Sequence, residues 1–579
     1  SDVSESDWKT ATKTIRYIAK RHKVPLVWIP GAIVFITIII FLGKFYFTKP
    51  EFNALNRTIA VLPFINNGAE EQIYYADGFS DDIASDLSTL PEVIVISRKS
   101  SSMFRGTKEK DSTIAERLGV RFLLKGEVQV QFARVKIKLS LFDNRENGIV
   151  WNDNMDVARG DIYQIKHQIF RQVAENIGVD PNEIAPPRFN TSSSVYESFL
   201  EGLYYRDKIK KDDNKLAITY FEEAVKKDSN FLPALIALAN TKVEHFRQGW
   251  DQSEKYLIES EYFCKKALQL DSTYAQAYAV LGSIEDIRGN PDRSLHFLLK
   301  SYEMDKNNPV TLTTMAMIYL FELGEPTKGV MYLKQLQEID PLDWLTALNL
   351  GVAYAQVKNY TEAIRSFQRA SQLNPQHEYP PYSLGYTYER IGQLDSAYQY
   401  YHIAIKINPF EPKGYDGLSS VLLAMGKFST ADSIMSNALR YLPNEIEIFY
   451  GLGVIYLHEK KEKDARKIFS DGLNVVKYKI QKDPKVGNYY AFASLFNARL
   501  NKTSAAIDAI NRSIQLDSTS EDVIMKVTRA YAVLGQKENM LKWYKSARAM
   551  NPEYDAAYLR TAIDFEKYRS DADLLSIAR

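Results

Sequence analysis

Between residues 193 and 570 the apolar and small positions recur with a period far longer than one helix or strand. Residues 360–375 read YTEAIRSFQRASQLNP and residues 394–409 read LDSAYQYYHIAIKINP. In each, an alanine is followed four residues on by an aromatic, seven on by a second alanine and twelve on by a proline. The two sets, Ala363, Phe367, Ala370, Pro375 and Ala397, Tyr401, Ala404, Pro409, lie 34 residues apart. Corner residues, mostly Asp or Asn before Pro or Ser, fall at Asp228, Asp271, Asp305, Asp340, Asn374, Asn408, Leu442, Asp483, Asp517 and Asn551. Their spacings are 43, 34, 35, 34, 34, 34, 41, 34 and 34, too regular for chance. Each period predicts two antiparallel helices joined by a short turn, often at a glycine (Gly289, Gly324, Gly392, Gly426). Gly351 and Ala363 are small enough to let the two helices cross closely, and Tyr354 and Phe367 fill the neighbouring holes. Pro375 and Pro409 cannot continue a helix and turn the chain into the next unit. One unit cannot bury its apolar face alone; about ten stacked units bury a continuous core. The two long intervals predict longer helices or turns around 244–254 and 475–481.

The amino-terminal third has a different pattern. Residues 24–43 (VPLVWIPGAIVFITIIIFLG) carry no charge over 20 residues, which at about 1.5 Å per residue matches a bilayer core of roughly 30 Å. Trp28 stands near one end and Phe45, Tyr46 and Phe47 at the other, as interfacial belts do. Lys9, Lys13, Arg16, Lys20, Arg21 and Lys23 precede it, whereas Lys44, Lys49 and Arg57 follow. The segment 24–47 is therefore expected to span a membrane once and to contact its lipid. Residues 1–23 are then a cytoplasmic juxtamembrane segment and the bulk of the chain lies outside the cytoplasm. No small-residue cleavage site follows the apolar run, so a signal peptide is disfavoured.

Residues 58–64 (TIAVLPF) read as a buried strand and 78–90 as an amphipathic helix with Ile83, Leu87 and Leu90 on one face. Residues 93–97 read as a second strand and 112–118 as a helix stopped by Gly119. Residues 120–130 and 134–143 read as an antiparallel pair, with Val135, Ile137, Leu139 and Leu141 alternating onto one face. A strand over 148–157 and a helix over 161–177 complete one small mixed α/β domain over 55–180. Residues 181–194 (PNEIAPPRFNTSSS) form a linker without hydrophobic periodicity. The fold class is thus mainly α: one spanning helix, a small mixed α/β domain, then an α-solenoid over 195–570 and a tail over 571–579.

Composition is that of an ordinary globular protein, and a net charge of +1 gives no electrostatic case for nucleic acid. The single cysteine, Cys264, excludes an intrachain disulfide and lies in an apolar run, where it reads as core. The seven histidines are scattered without ligand spacing, and neither a phosphate-binding glycine loop nor a catalytic constellation is present. No catalytic residue, cofactor or metal is expected. Asp77, Asp81, Asp82 and Asp86 cluster near the first helix, where acidic residues favour the positive end of the helix dipole. Residues 98–102 (RKSSS) read as a solvated loop.

The first half of each period carries its own signature: Leu350-Gly351 with Tyr354, Leu384-Gly385 with Tyr388, Leu452-Gly453 with Tyr456. Together with the 34-residue period it resembles the tetratricopeptide repeat. The resemblance implies a right-handed superhelix with a concave groove that binds a protein or peptide. In that family positions 2, 5, 9, 12 and 13 of each unit face the concave side. With Gly351 and Gly385 at position 8, they fall on Leu345, Leu348 and Val352 in one unit and Tyr379, Tyr382, Tyr386, Glu389 and Arg390 in the next. Lys413 and Asp416 follow in the third. The family's Lys/Asn clamp for terminal carboxylates is absent from these positions. The stretch before the repeats resembles the TolB amino-terminal-like (FlgO-like) domain. It matches through IAVLPF, YYADGFSDDIASDL, VIVISRKSSSMFRG, IAERLGVRFLLKGEVQ and the segments that follow. In bacteria that domain often sits between a membrane helix and such repeats, which implies an inner (cytoplasmic) membrane and a periplasmic bulk. The chain is accordingly expected to be a membrane-anchored interaction module that relays or scaffolds across the membrane. The alternative expectation is the sensor region of a class III adenylate/guanylate cyclase, or of a one-component transcription regulator, whose output domain precedes Ser1. A homodimer is also an expectation, since a single helix signals most simply by a change in pairing, although no GxxxG pair marks its face.

Overall fold

The computed structural model describes residues 57–90, 92–180 and 191–579. The predicted spanning segment 24–47, the 1–23 segment and most of the linker lie outside them. No helix among the described residues is long and apolar enough to cross a membrane. The chain is mainly helical, with one small mixed sheet near its amino-terminal end.

The sheet contains β1 (Thr58–Val61), β2 (Ile65–Asn66), β3 (Ile94–Val95), β4 (Phe122–Gln131), β5 (Arg134–Asp143) and β6 (Gly148–Ala158). Their order is β3-β1-β4-β5-β6, with β2 also on β4; β1 runs parallel to β3 and β4, and β4, β5 and β6 are antiparallel. The β4–β5 register runs unbroken from Phe122 opposite Asp143 to Gln131 opposite Arg134. It puts Val135, Ile137, Leu139 and Leu141 on the buried face, as their alternation predicts. The helices Ile73–Ser88 and Ile162–Asn176 cover that face through Tyr75, Phe79, Ile83, Ile169 and Val173. The helix Asp111–Leu118, ended by Gly119 at φ +68°, covers the other face through Ile114 and Leu118.

From Ser193 to Met550 the described chain forms ten successive helix pairs. In five of the pairs, at Gly202, Gly282, Gly351, Gly385 and Gly453, the helices approach so closely that this position has no room for a side chain. A Cβ on Gly351 would lie 2.4 Å from the Phe367 ring, and one on Gly453 2.2 Å from the Phe469 ring. The two long periods are absorbed differently. The 43-residue period carries a turn with Gly249 at φ +67° between Leu232–Arg247 and Lys255–Leu270. The 41-residue period lengthens one helix, Glu462–Lys482, to 21 residues. Cys264 is fully buried among these helices, and burial pushes its thiol pKa up, so it is core as expected.

The α/β domain is docked on the repeats. One apolar cluster runs from Ile83 and Val173 into Tyr196, Phe199 and Phe221 of the first pair, and Leu342 of the solenoid joins the opposite face of the sheet. Residues 98–102 are a short docked helix rather than a solvated loop: Ser100 and Ser101 are buried. The Ser97 amide donates to the Ile339 carbonyl at 2.8 Å, the Leu342 amide to Ser100 Oγ at 3.1 Å, and Ser100 Oγ to Asp340. Lys99 Nζ reaches Asp343 at 2.5 Å. Burial explains the correction: the corner between the fourth and fifth pairs needs polar partners, and this segment supplies them.

Gly351→Ala is expected to lower the urea midpoint. Overpacking against Phe367 costs about 1–3 kcal/mol, which outweighs the roughly 1 kcal/mol of helix propensity gained. A higher midpoint would show that the ring has space to yield.

Candidate functional site

The ten residues assigned to the concave face separate into an open rim and a covered floor. Leu345 and Tyr379 are exposed, and Lys413 lies with its Nζ 5.6 Å from the Tyr379 ring centre. Leu348 is buried against Ala347, Phe367 and Leu384, with Val352 half-buried beside it, so this part is interior packing. Tyr382, Tyr386, Glu389, Arg390 and Asp416 converge on a cavity of about 200 Å³. Across that cavity lie Tyr450, Arg529 and, from the carboxy-terminal segment, Tyr558 and Ile563.

That segment is what the periodicity did not reveal. After the last helix pair the chain forms only short helices, Tyr558–Thr561, Ile563–Tyr568 and Ala572–Ala578. It crosses back over the concave face. Tyr386 donates its hydroxyl to Glu553 at 2.6 Å, and Arg390, itself buried, donates to Asp555 at 2.9 Å. Lys358 reaches the other Asp555 oxygen at 3.0 Å, and Arg560 donates to the Arg390 carbonyl at 2.7 Å. Asp564 accepts from the Tyr450 hydroxyl at 2.6 Å, from Arg529 at 2.6 Å, and from Arg499. Burial pushes the Asp564 carboxyl up, but Arg529 and Arg499 outweigh it and hold the pKa below the usual carboxylate range. Asp555 is likewise held low against burial, by Lys358 and Arg390. Glu389 accepts from Tyr401 at 2.8 Å and Ser420 at 3.0 Å. Burial pushes Asp416 up, opposed by Arg529 and Lys526.

A second, larger cleft of about 630 Å³ separates the α/β domain from the first helices of the second to fourth pairs. Its floor includes Ile236, Val280 and Val310, and its roof Asp86, Lys166, His167 and Phe170. The acidic cluster sits here, and its role differs from the predicted one. The helix begins at Ile73, so Asp77 to Asp86 lie beyond its first turn, out of reach of the dipole's positive end. They pair with cations instead: Asp77 with Arg98 and Arg105, Asp81 with Arg206, Asp82 and Asp86 with Lys166 at 2.9 and 3.0 Å. Tyr196 also donates to Asp82 at 2.7 Å. Burial raises the Asp86 carboxyl to about 6 despite Lys166, and Asp82 beside it raises it further. Burial and Lys166 push His167 down to about 4, leaving a neutral imidazole at the cleft. No group of carboxylates, histidines or cysteines among the described residues is arranged to hold a metal ion.

Lys166 is the cation on which Asp82 and Asp86 both depend. Lys166→Met is expected to destabilise the α/β domain by about 3–5 kcal/mol, because it leaves Asp82 and Asp86 without their cation, Asp82 with only the Tyr196 hydroxyl. Adding Asp82→Asn should recover part of that loss, as read in a double-mutant cycle of denaturation midpoints. Strict additivity would remove the pairing from the stability of this interface.

A sequence-family model described as the protein kinase G tetratricopeptide repeat matches residues 273–439. A Rhizobium meliloti (strain 1021) protein named "Putative adenylate cyclase 3" is 34% identical over 123 residues, 21% of this chain and 21% of that protein. Tetratricopeptide repeat protein 37 of Xenopus laevis is 28% identical over 190 residues, 32% of this chain and 12% of that one. The chain thus spans about a fifth or less of the length of these relatives. Similar solved structures include YrrB, a tetratricopeptide-repeat protein with an unusual peptide-binding site. It is 21% identical, covers 34% of this chain and 95% of its own, and has a TM-score of 0.29. PilW, a type IV pilus biogenesis factor, is 16% identical over 36% of this chain and 96% of its own, with a TM-score of 0.32. Together with the ten helix pairs, the matched stretch identifies a tetratricopeptide-repeat domain within this chain.

Proposed function

We propose that the chain is a protein-interaction module held at a membrane by residues 24–47, with residues 1–23 in the cytoplasm and the rest outside it. The repeats take a protein or peptide segment on their concave face. The α/β domain, read as a TolB amino-terminal-like module, carries the binding event toward the membrane. One observation carries the peptide-binding reading: the concave face of the later repeats already holds a segment of protein through side-chain contacts, at Glu553, Asp555 and Asp564. The docking of the α/β domain along the first five pairs supports the relay, because a shift of the repeats displaces the domain whose first strand begins at Thr58. Anchoring is supported by the 20 uncharged residues of 24–43.

A second reading, the sensor region of a membrane-bound nucleotide cyclase, is favoured by the stretch shared with the Rhizobium protein. The two readings separate in a gentle-detergent pull-down from native membranes, read by mass spectrometry. A constant stoichiometric partner supports the interaction module. Peptides of a cyclase domain joined to this chain, without a constant partner, support the sensor. Protease added to intact spheroplasts is expected to remove the repeats; protection of the repeats would overturn the topology.

A further inference from the structure

We infer that residues 553–564 stand in for the partner: the concave face of the fifth to tenth helix pairs is a receptor for a short acidic segment, with tyrosine between its carboxylates. This rests on the reading of the repeats as a peptide receptor and adds the chemistry of the peptide. Four cations from separate repeats, Lys358, Arg390, Arg499 and Arg529, converge on two carboxylates nine residues apart, Asp555 and Asp564. Both carboxylates and Arg390 are buried, at 7%, 7% and 6% exposure. The segment attaches in two ways. Leu559, with Phe565 and Leu574 just beyond the segment, seats it in the apolar cluster of the last pairs. Its reach onto the fifth and sixth pairs is made through charged groups and a tyrosine hydroxyl, at Lys358, Tyr386 and Arg390.

That division matters. Charge-assisted contacts specify a ligand by geometry and exchange readily for the same contacts from another chain, whereas an apolar seat does not. Beneath the segment remains the roughly 200 Å³ cavity with tyrosine, carboxylate and arginine on its walls. The occupant therefore leaves the floor of the groove partly unfilled, with room for side chains it does not itself supply. Because it is tethered, it competes at an effective concentration that a free peptide must exceed, so the resting groove is closed to weak ligands.

The test uses the full chain and a fluorescent peptide of residues 551–566, NPEYDAAYLRTAIDFE. A chain carrying Asp555→Asn and Asp564→Asn is expected to bind this peptide about tenfold or more tighter than the wild type. A peptide with the same two changes should lose that gain, and so should a chain with Arg390→Gln and Arg529→Gln added. Hydrogen exchange of residues 553–564 should rise in the Asp→Asn chain and fall again when the peptide is added. The inference is overturned if the released groove does not bind the peptide, or if residues 553–564 exchange only on global unfolding, which would make them a structural cap. If the native-membrane pull-down yields a partner that the peptide does not displace from the released chain, this inference falls while the interaction reading stands.

Discussion

The solenoid depends on one short-range constraint: two helices crossing closely, in five of the ten pairs at a glycine beside which no side chain fits. At Gly351 and Gly453 an aromatic ring from the partner helix occupies the space a Cβ would take. Burying a ring contributes about 1.5–3 kcal/mol of transfer free energy, and doing so against bare backbone fixes the crossing angle as well as the distance. Repetition turns a local angle into a global shape. Each pair is rotated slightly against the last, so ten pairs curve into a surface whose concave side brings residues more than 150 positions apart into contact, as Arg390 and Asp555 are.

That curvature explains why both ends of the concave side are occupied by the chain itself. A curved array of first helices leaves a trough of backbone and side-chain polar groups that must be wet or paired. At the amino-terminal end the α/β domain fills it, exchanging hydrogen bonds at Ile339 and Leu342 and sharing an apolar core at Tyr196 and Phe199. At the other end the carboxy-terminal segment does so with carboxylates. The two fillings differ in kind. The first merges two cores beside its cleft, so its separation would expose large aromatic side chains; the second is apolar on the last pairs and ionic beyond them.

The repeats were legible in the sequence because their signal is dense: the Gly–aromatic crossing and the corner recur often enough for the period to be counted. The elements of the sheet were legible as well, since the alternation of Val135 to Leu141 survives in a face buried on one side only. What escaped was long-range. Residues 98–102 look like a loop because Arg, Lys and Ser are polar, and only the corner at Asp340 and Asp343, some 240 residues away, gives those groups partners. Tyr382, Tyr386 and Arg390 were placed on the concave face by register alone, but register cannot say whether that face is open. The acids and tyrosines of 553–564 carry no period, so nothing local marks them as the material that covers it. Leu348 and Val352 follow the same register and pack inward, because a curved array buries some of its concave positions against neighbouring helices.

The charges at these two contacts do unlike work for a physical reason. Lys166 sits buried between Asp82 and Asp86 at the roof of the larger cleft, with its ammonium 5.1 and 5.8 Å from the ring centres of Tyr163 and Tyr196. Lys166 and Asp82 are buried there, so the pairing adds little net stability yet makes any other arrangement costly: it fixes how the domain is docked. Asp555 and Asp564 are also buried, but their cations come from four different helix pairs, and Lys358 remains half exposed. A site assembled from the side chains of many repeats changes with the pitch of the superhelix. Small changes in pitch, which cost little when spread over ten pairs, move all four cations relative to one another at once. The same curvature that creates the groove therefore also sets how firmly the groove holds whatever lies in it.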